Sequence, residues 1–142
     1  MTQKQSGRSG TTDGSRAVLE AATAAIRAGA TGVLALVVET EGSTYVCAGG
    51  MALFGGVDGQ TGWLSGGCLE PEIERQAQQA AETASLAWME IDTRDDEDLL
   101  SGSALGCRGR LRIALIPLRS MPGLHAAIGA WGQGDTALEF VL

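Results

Sequence analysis

The sequence predicts an α+β domain, a mixed β-sheet flanked by helices, formed as one unit over residues 15–142. Three observations point there. Short apolar runs rich in branched residues recur along the chain, at Val33 to Val38, Met51 to Phe54, Leu86 to Ile91 and Leu111 to Leu118, and read as strands. Two longer segments carry apolar residues at helical spacing. Apolar residues make up 44% of the 142, against 19% charged, which suits one globular domain around one core.

Residues 1–14 are Gly-, Ser-, Thr- and Gln-rich without apolar periodicity, so the sequence predicts a flexible tail. Ser15 is an N-cap candidate for a first helix, whose inner face holds Val18, Ala22, Ala25 and Ile26 and which Gly29 stops. Val33 to Val38 reads as a strand buried on both faces and ending near Glu39-Thr40. The turn at Gly42-Ser43-Thr44 leads through Gly49-Gly50 to a second extended stretch, which closes at Gly55 to Gly59. Thr61 to Ser65 reads as a further strand delivering Gly66-Gly67-Cys68 to a helix with Leu69, Ile73, Ala77, Ala80 and Ala84 inward. Pro71 fits the first turn of that helix, and Glu70, Glu72 and Glu74 complement its positive end. An acidic, then glycine-rich loop from Asp92 to Gly109 separates two late strands, and a short helix is expected around Leu124 to Trp131 before an apolar stretch, Ala137 to Leu142.

Composition excludes several classes of function. Ten basic residues against 17 acidic ones give a net charge of −7, the wrong sign for neutralising nucleic-acid phosphates. No apolar run reaches the roughly 18 to 20 residues that span a bilayer, and no apolar core of a secretory signal opens the chain, so a soluble, cytoplasmic protein is expected. Cys47, Cys68 and Cys107 form no CxxC pair, and an odd count fits reduced thiols better than a disulfide framework. Glycine is in excess, 21 residues where an average of about 7% would give about ten, and it clusters beside the cysteines.

The most informative segment is Ser65-Gly66-Gly67-Cys68-Leu69-Glu70, where strand, glycine pair, cysteine and helix start follow one another. Free backbone N–H groups at such a junction favour an anion, either a phosphate or a Cys68 thiolate able to bind a soft metal or carry sulfur. The alternative for Cys68 is a small buried hydrophobe beside a tight turn. A second cysteine sits between glycines in Leu105-Gly106-Cys107-Arg108-Gly109, where Arg108 is placed to stabilise a thiolate or phosphate; a plain loop end before a strand is the alternative. Cys47, in Tyr45-Val46-Cys47-Ala48, reads as packed. Asp92, Asp95, Asp96, Glu97 and Asp98 do not follow the calcium-loop pattern and read as a solvated acidic loop. His125 has no His or Cys at zinc-ligand spacing and reads as structural; Trp63, Trp88 and Trp131 read as core residues, with Trp63 also near enough to the Cys68 turn to line a pocket. Ser43 and Ser65 have no nearby histidine in sequence to serve as a base.

Taken in order, Val37 to Thr44 with its Glu-Gly-Ser-Thr turn, Gly49 to Leu53, the Asp58-Gly59 turn, Ser65 to Glu70 and Leu105 to Gly109 resemble the N-terminal domain of the XdhC/CoxI family of maturation factors, over about residues 17–118. The resemblance implies binding of a molybdenum cofactor of the molybdopterin type as cargo, help with its sulfuration, and delivery to a molybdenum hydroxylase apoenzyme of xanthine dehydrogenase or carbon monoxide dehydrogenase type. It implies no turnover by this chain alone. Cys68 and Cys107 occupy the family's cysteine positions and are the implied metal or sulfur ligands, with Gly42, Ser43, Ser65, Gly66, Gly67, Glu70, Gly106, Arg108 and Gly109 around the cofactor. The other implied partners are a cysteine desulfurase, a Rossmann-domain subunit encoded separately, and further copies of the chain itself. Two departures stand out. The family's basic pair and proline are replaced by Val46-Cys47-Ala48, removing positive charge that would hold a phosphate, and the usual C-terminal Rossmann-like domain is expected to be absent. Two other readings use the same residues: a thiol oxidoreductase or sulfurtransferase working through Cys68, and an interaction module that binds no cofactor.

Overall fold

The computed structural model describes residues 6–57, 59–65, 67, 69–92, 108–132, 140 and 142, without the side chains of residues 6–13, 108 and 132. Its elements run α1 (Ser6–Ala28), β1 (Val33–Ser43), β2 (Met51–Gly56), β3 (Gly59–Thr61), α2 (Glu70–Thr83), β4 (Ala87–Asp92), β5 (Arg108–Pro117), a 3-10 turn at Leu118–Ser120, and α3 (Leu124–Gly132). The strands form one sheet in the order β3-β2-β1-β5-β4, which gives the α+β class. Every described pairing is antiparallel, so the sheet is not the mixed one expected. The connection from β2 to β4 carries α2 across one face, but β4 returns beside β5 in the antiparallel sense.

Strand alternation assigns the two faces. Val33, Ala35, Val37, Ala52, Phe54, Ile113 and Leu115 point to one side, where Ile73, Ala77 and Ala80 of α2 cover them. Leu34, Leu36, Leu53, Ala114 and Ile116 point to the other, against Val18, Leu19, Ala22 and Ala25 of α1 and Leu124 and Ile128 of α3. The sheet is thus sandwiched between α2 and the α1–α3 pair, which is why Val33 to Val37 are buried without a polar gap.

Several boundaries differ from those read in the sequence, each for a local reason. α1 starts at Ser6 and not at Ser15, so residues 6–14 are helix where a tail was expected; residues 1–5 lie outside the described residues. Adding a turn to an existing helix is far easier than nucleating one, which lets weak helix formers continue it. β1 runs past Thr40 to Ser43 because β5 pairs with it to the end, with a register shift between Val37 and Glu39. The strand expected at Thr61 to Ser65 stops at Thr61, where Gly62, at a φ of +88°, turns the chain. A Cβ at Gly62 would lie 2.8 Å from Val18 Cγ2 and 2.9 Å from the Met51 carbonyl oxygen, so this glycine also sets how closely α1 approaches β2. Ala84, expected on the inner face of α2, is its left-handed C-cap and is exposed. Of the apolar stretch 137–142, Phe140 packs against the α1–α3 core and Leu142 is exposed; the rest lies outside the described residues.

Candidate functional site

The sequence segments singled out above meet at one end of the sheet, where β1 ends, β5 begins and α2 starts. Gly42 pairs with Gly109 and Ser43 with Arg108. Gly109 is buried, and a Cβ there would lie 2.5 Å from the Glu41 carbonyl oxygen and 2.6 Å from that of Ser43. Both are backbone atoms of a paired strand, so only glycine permits this approach. The residue following Cys107 in sequence is thereby fastened to the Gly42-Ser43 turn.

The Cys68 turn is held by a buried pair. Ser65 is 1% exposed and Glu70 is 4% exposed. One carboxylate oxygen of Glu70, Oε2, accepts from the Leu64 amide at 2.6 Å and the Ser65 amide at 2.9 Å. The other, Oε1, accepts a short hydrogen bond from the Ser65 hydroxyl. Ser65 Oγ in turn accepts from the amides of Gly67, at 3.2 Å, and Leu69, at 3.1 Å. Glu70 is the first residue of α2, followed by Pro71, and this ring of bonds ties the start of the helix to the turn before it, while no side chain caps the helix. Gly67 stands at a φ of +111°, which a side chain adopts only with strain.

This geometry changes the role expected of the glycine turn. The amides of Gly67 and Leu69, on either side of Cys68, were expected to be free for an anion, and both are already committed to Ser65 Oγ. Glu70, expected among cofactor contacts, is a structural acceptor buried under the turn. A hollow lined by Ser43, Thr44, Tyr45, Leu64, Ser65, Leu69, Ile91, Gly109 and Leu111 lies directly beside these residues. Its free volume of about 10 Å³ admits about one water, so a cofactor would sit across its mouth rather than inside it. Gly66, Cys68, Gly106 and Cys107 lie outside the described residues, as do Asp95, Asp96, Glu97 and Asp98 of the acidic loop.

On the opposite face of the same sheet end is a feature that the sequence motifs do not reveal. The Arg110 side chain, 14% exposed, donates to Glu39 at 3.1 Å, to Glu41 at 2.8 Å and, more closely still, to Glu90. Its hydrogen bonds to the carboxylates of Glu41, Glu39 and Glu90 push the guanidinium pKa further up. Beside it, the Arg112 guanidinium lies 4.6 Å from the centre of the Trp88 ring. The signal was present in the sequence: charges at every second residue, Glu39 and Glu41 on β1, Glu90 on β4 and Arg110 and Arg112 on β5, are the pattern of a cross-strand ion network. Arg110 points away from the hollow and is paired with three carboxylates, so it offers no charge to a phosphate there.

The remaining single residues are placed as follows. Cys47, expected to be packed, is exposed in the loop before β2. Its apolar neighbour Tyr45 is also exposed, because Gly49 and Gly50 bond to Val37 and hold the loop outside the sheet. Trp63 and Trp88, expected in the core, are exposed at 55% and 44%; Trp131 is partly buried against the α1–α3 core. His125 lies on α3 and its Nε2 accepts from Arg27 Nε at 3.2 Å. Among the described residues there is no cluster of His, Cys, Asp and Glu able to hold a metal, and no helix long and apolar enough to cross a membrane.

The fold and this end of the sheet define a class: a small α+β domain in which the turn before α2 and the paired ends of β1 and β5 line one hollow. Residues 25–90 match the model of the XdhC and CoxI family. A relative from Bacillus subtilis (strain 168), described as a probable subunit of xanthine dehydrogenase, is 33% identical over 81 residues, covering 57% of this chain and 24% of that protein. A crystal structure described as a xanthine dehydrogenase from Bacillus halodurans matches with a TM-score of 0.68 at 30% identity, covering 82% of this chain and 35% of that one. The chain therefore corresponds to a minor part of the length of each relative.

Proposed function

We propose that this chain is an accessory module for a molybdenum hydroxylase of xanthine dehydrogenase or carbon monoxide dehydrogenase type, and that it holds the molybdenum cofactor as cargo through the sulfurs of Cys68 and Cys107. The match of residues 25–90 to the XdhC and CoxI family and the names of the relatives support the accessory role. The observation that carries the site is the shared hollow: Ser65 and Leu69, which bracket the Cys68 turn, and Gly109, two residues after Cys107, line the same small space. Two thiols delivered to one rim suit a soft metal centre.

The chain's own residues then have distinct tasks. Ser65 and Glu70 fix the turn before Cys68 so that its position does not depend on the cargo. Gly109 fastens the segment after Cys107 to β1. Phosphate recognition falls to neither the Gly67 and Leu69 amides nor Arg110, since all are committed within the fold. The cofactor is accordingly gripped at its metal end, and its phosphate remains open to the recipient enzyme.

Purified chain loaded with molybdopterin-type cofactor tests this. Retention after gel filtration is expected to fall at least tenfold in Cys68→Ala plus Cys107→Ala and to be unchanged in Cys47→Ala. Equal retention by the double variant would reject the site.

A further inference from the structure

On the other side of the sheet, α1 and α3 enclose an open cleft of about 360 Å³, within the range of small-molecule sites. Its walls include Arg16, Thr23, Arg27, His125 and Trp131, with the Glu20 carboxylate the one acidic group among the lining residues. Arg27 is unusual among the described arginines that the fold employs. Arg75 and Arg110 bind carboxylates, Arg119 donates to the Ala81 carbonyl, and Arg112 covers Trp88. Arg27 spends one donor, Nε, on the neutral nitrogen of His125 and meets no carboxylate among the described residues. Its terminal N–H groups, the fork that fits a carboxylate or phosphate edge, are uncommitted. With Nε2 accepting that bond, Nδ1 is the ring nitrogen left to meet a ligand.

A second observation falls in the same place. Thr23 is four residues before Arg27, and so one turn away on the same face of α1. Its hydroxyl is buried and has no hydrogen-bond partner. Buried polar atoms without partners are rare in folded proteins and mark places where a group is missing. In helices threonine populates two χ1 rotamers, about 120° apart, so the hydroxyl of this cleft-lining residue has a second staggered position open to it.

We infer that the α1–α3 cleft binds a compact oxyanion of the kind a phosphate monoester presents, held by Arg27, His125 and Thr23. The cleft continues toward Arg16, whose guanidinium lies 4.9 Å from the centre of the Trp131 ring, leaving room for an organic remainder. In a chain of net charge −7 the long-range field repels such a ligand, so affinity comes from these local donors and not from bulk attraction. The site is separate from the cysteine hollow, which lies on the α2 face.

His125 is the chain's single histidine, so its ring resonances report on this cleft without ambiguity. At fixed pH and ionic strength, inorganic phosphate is expected to shift the His125 ring signals saturably, and Arg27→Gln to weaken the apparent affinity at least tenfold. Arg75→Gln, on the far side of the sheet, should leave it unchanged. Tighter binding of phenyl phosphate than of inorganic phosphate identifies a monoester as the ligand; equal binding identifies the free anion. A linear, unsaturated drift of the His125 signals, or undiminished binding by a folded Arg27→Gln protein, overturns the proposal.

Discussion

Ser65→Ala removes one oxygen and disturbs three hydrogen bonds. The hydroxyl donates to Glu70 Oε1 and accepts from the Gly67 and Leu69 amides, all at a residue 1% exposed. A bond to a carboxylate contributes about 1.5–3 kcal/mol net and each neutral bond about 0.5–1.5 kcal/mol, so their sum is about 2.5–6 kcal/mol. The adjacent hollow admits about one water, which can satisfy part of what is lost. A loss of about 3 kcal/mol is therefore expected, or about 1.5 M in urea midpoint if m is about 2 kcal/mol/M. Equilibrium urea unfolding followed by circular dichroism measures it, with m unchanged. A loss below about 1 kcal/mol would refute the view that this ring of bonds holds the Cys68 turn.

Gly109→Ala places a methyl group 2.5 Å from the Glu41 carbonyl oxygen, and overpacking against backbone should destabilise the fold by about 1–3 kcal/mol, read as a lower melting temperature. It should also weaken cofactor retention without altering either cysteine. Arg110→Met leaves Glu39, Glu41 and Glu90 facing one another. Its melting temperature should fall in low salt and recover substantially in high salt, since exposed like charges are screened. Glu72 has its pKa lowered by hydrogen bonds first from Arg75 and then from Gln76. A depressed folded pKa means the pair stabilises α2 above the unfolded carboxylate range and fades as pH falls through it. Glu72→Gln should therefore flatten the acid side of the stability profile slightly, with no change below that range.

Much of the architecture was legible because apolar period and length are local signals. Val33 to Val37, Ile73-Ala77-Ala80 and Leu111 to Pro117 lie where alternation and helical spacing place them. Strand direction was not legible, since pairing sense depends on which strands become neighbours and short apolar runs are equally good in either. The exposure of Cys47, Trp63 and Trp88 was missed for a similar reason: residue type predicts average burial, while Gly49-Gly50, Gly62 and the open edge of β4 decide these cases. At the site, Ser43, Ser65 and Gly109 line one hollow, while the tasks of Ser65 and Glu70 could not be read from the sequence. A glycine turn before a helix exposes amides in principle; whether a serine five residues before a buried glutamate occupies them is settled only by side-chain geometry.

The proximity of Cys68 and Cys107 is the most direct thing to measure. In a Cys47→Ser background, a short bifunctional thiol reagent applied to the native chain should form an intramolecular bridge, seen by mass spectrometry as a single added linker with both thiols consumed. Separate single-ended adducts on the two cysteines, with bridging only after denaturation, would contradict a shared site at the end of the sheet.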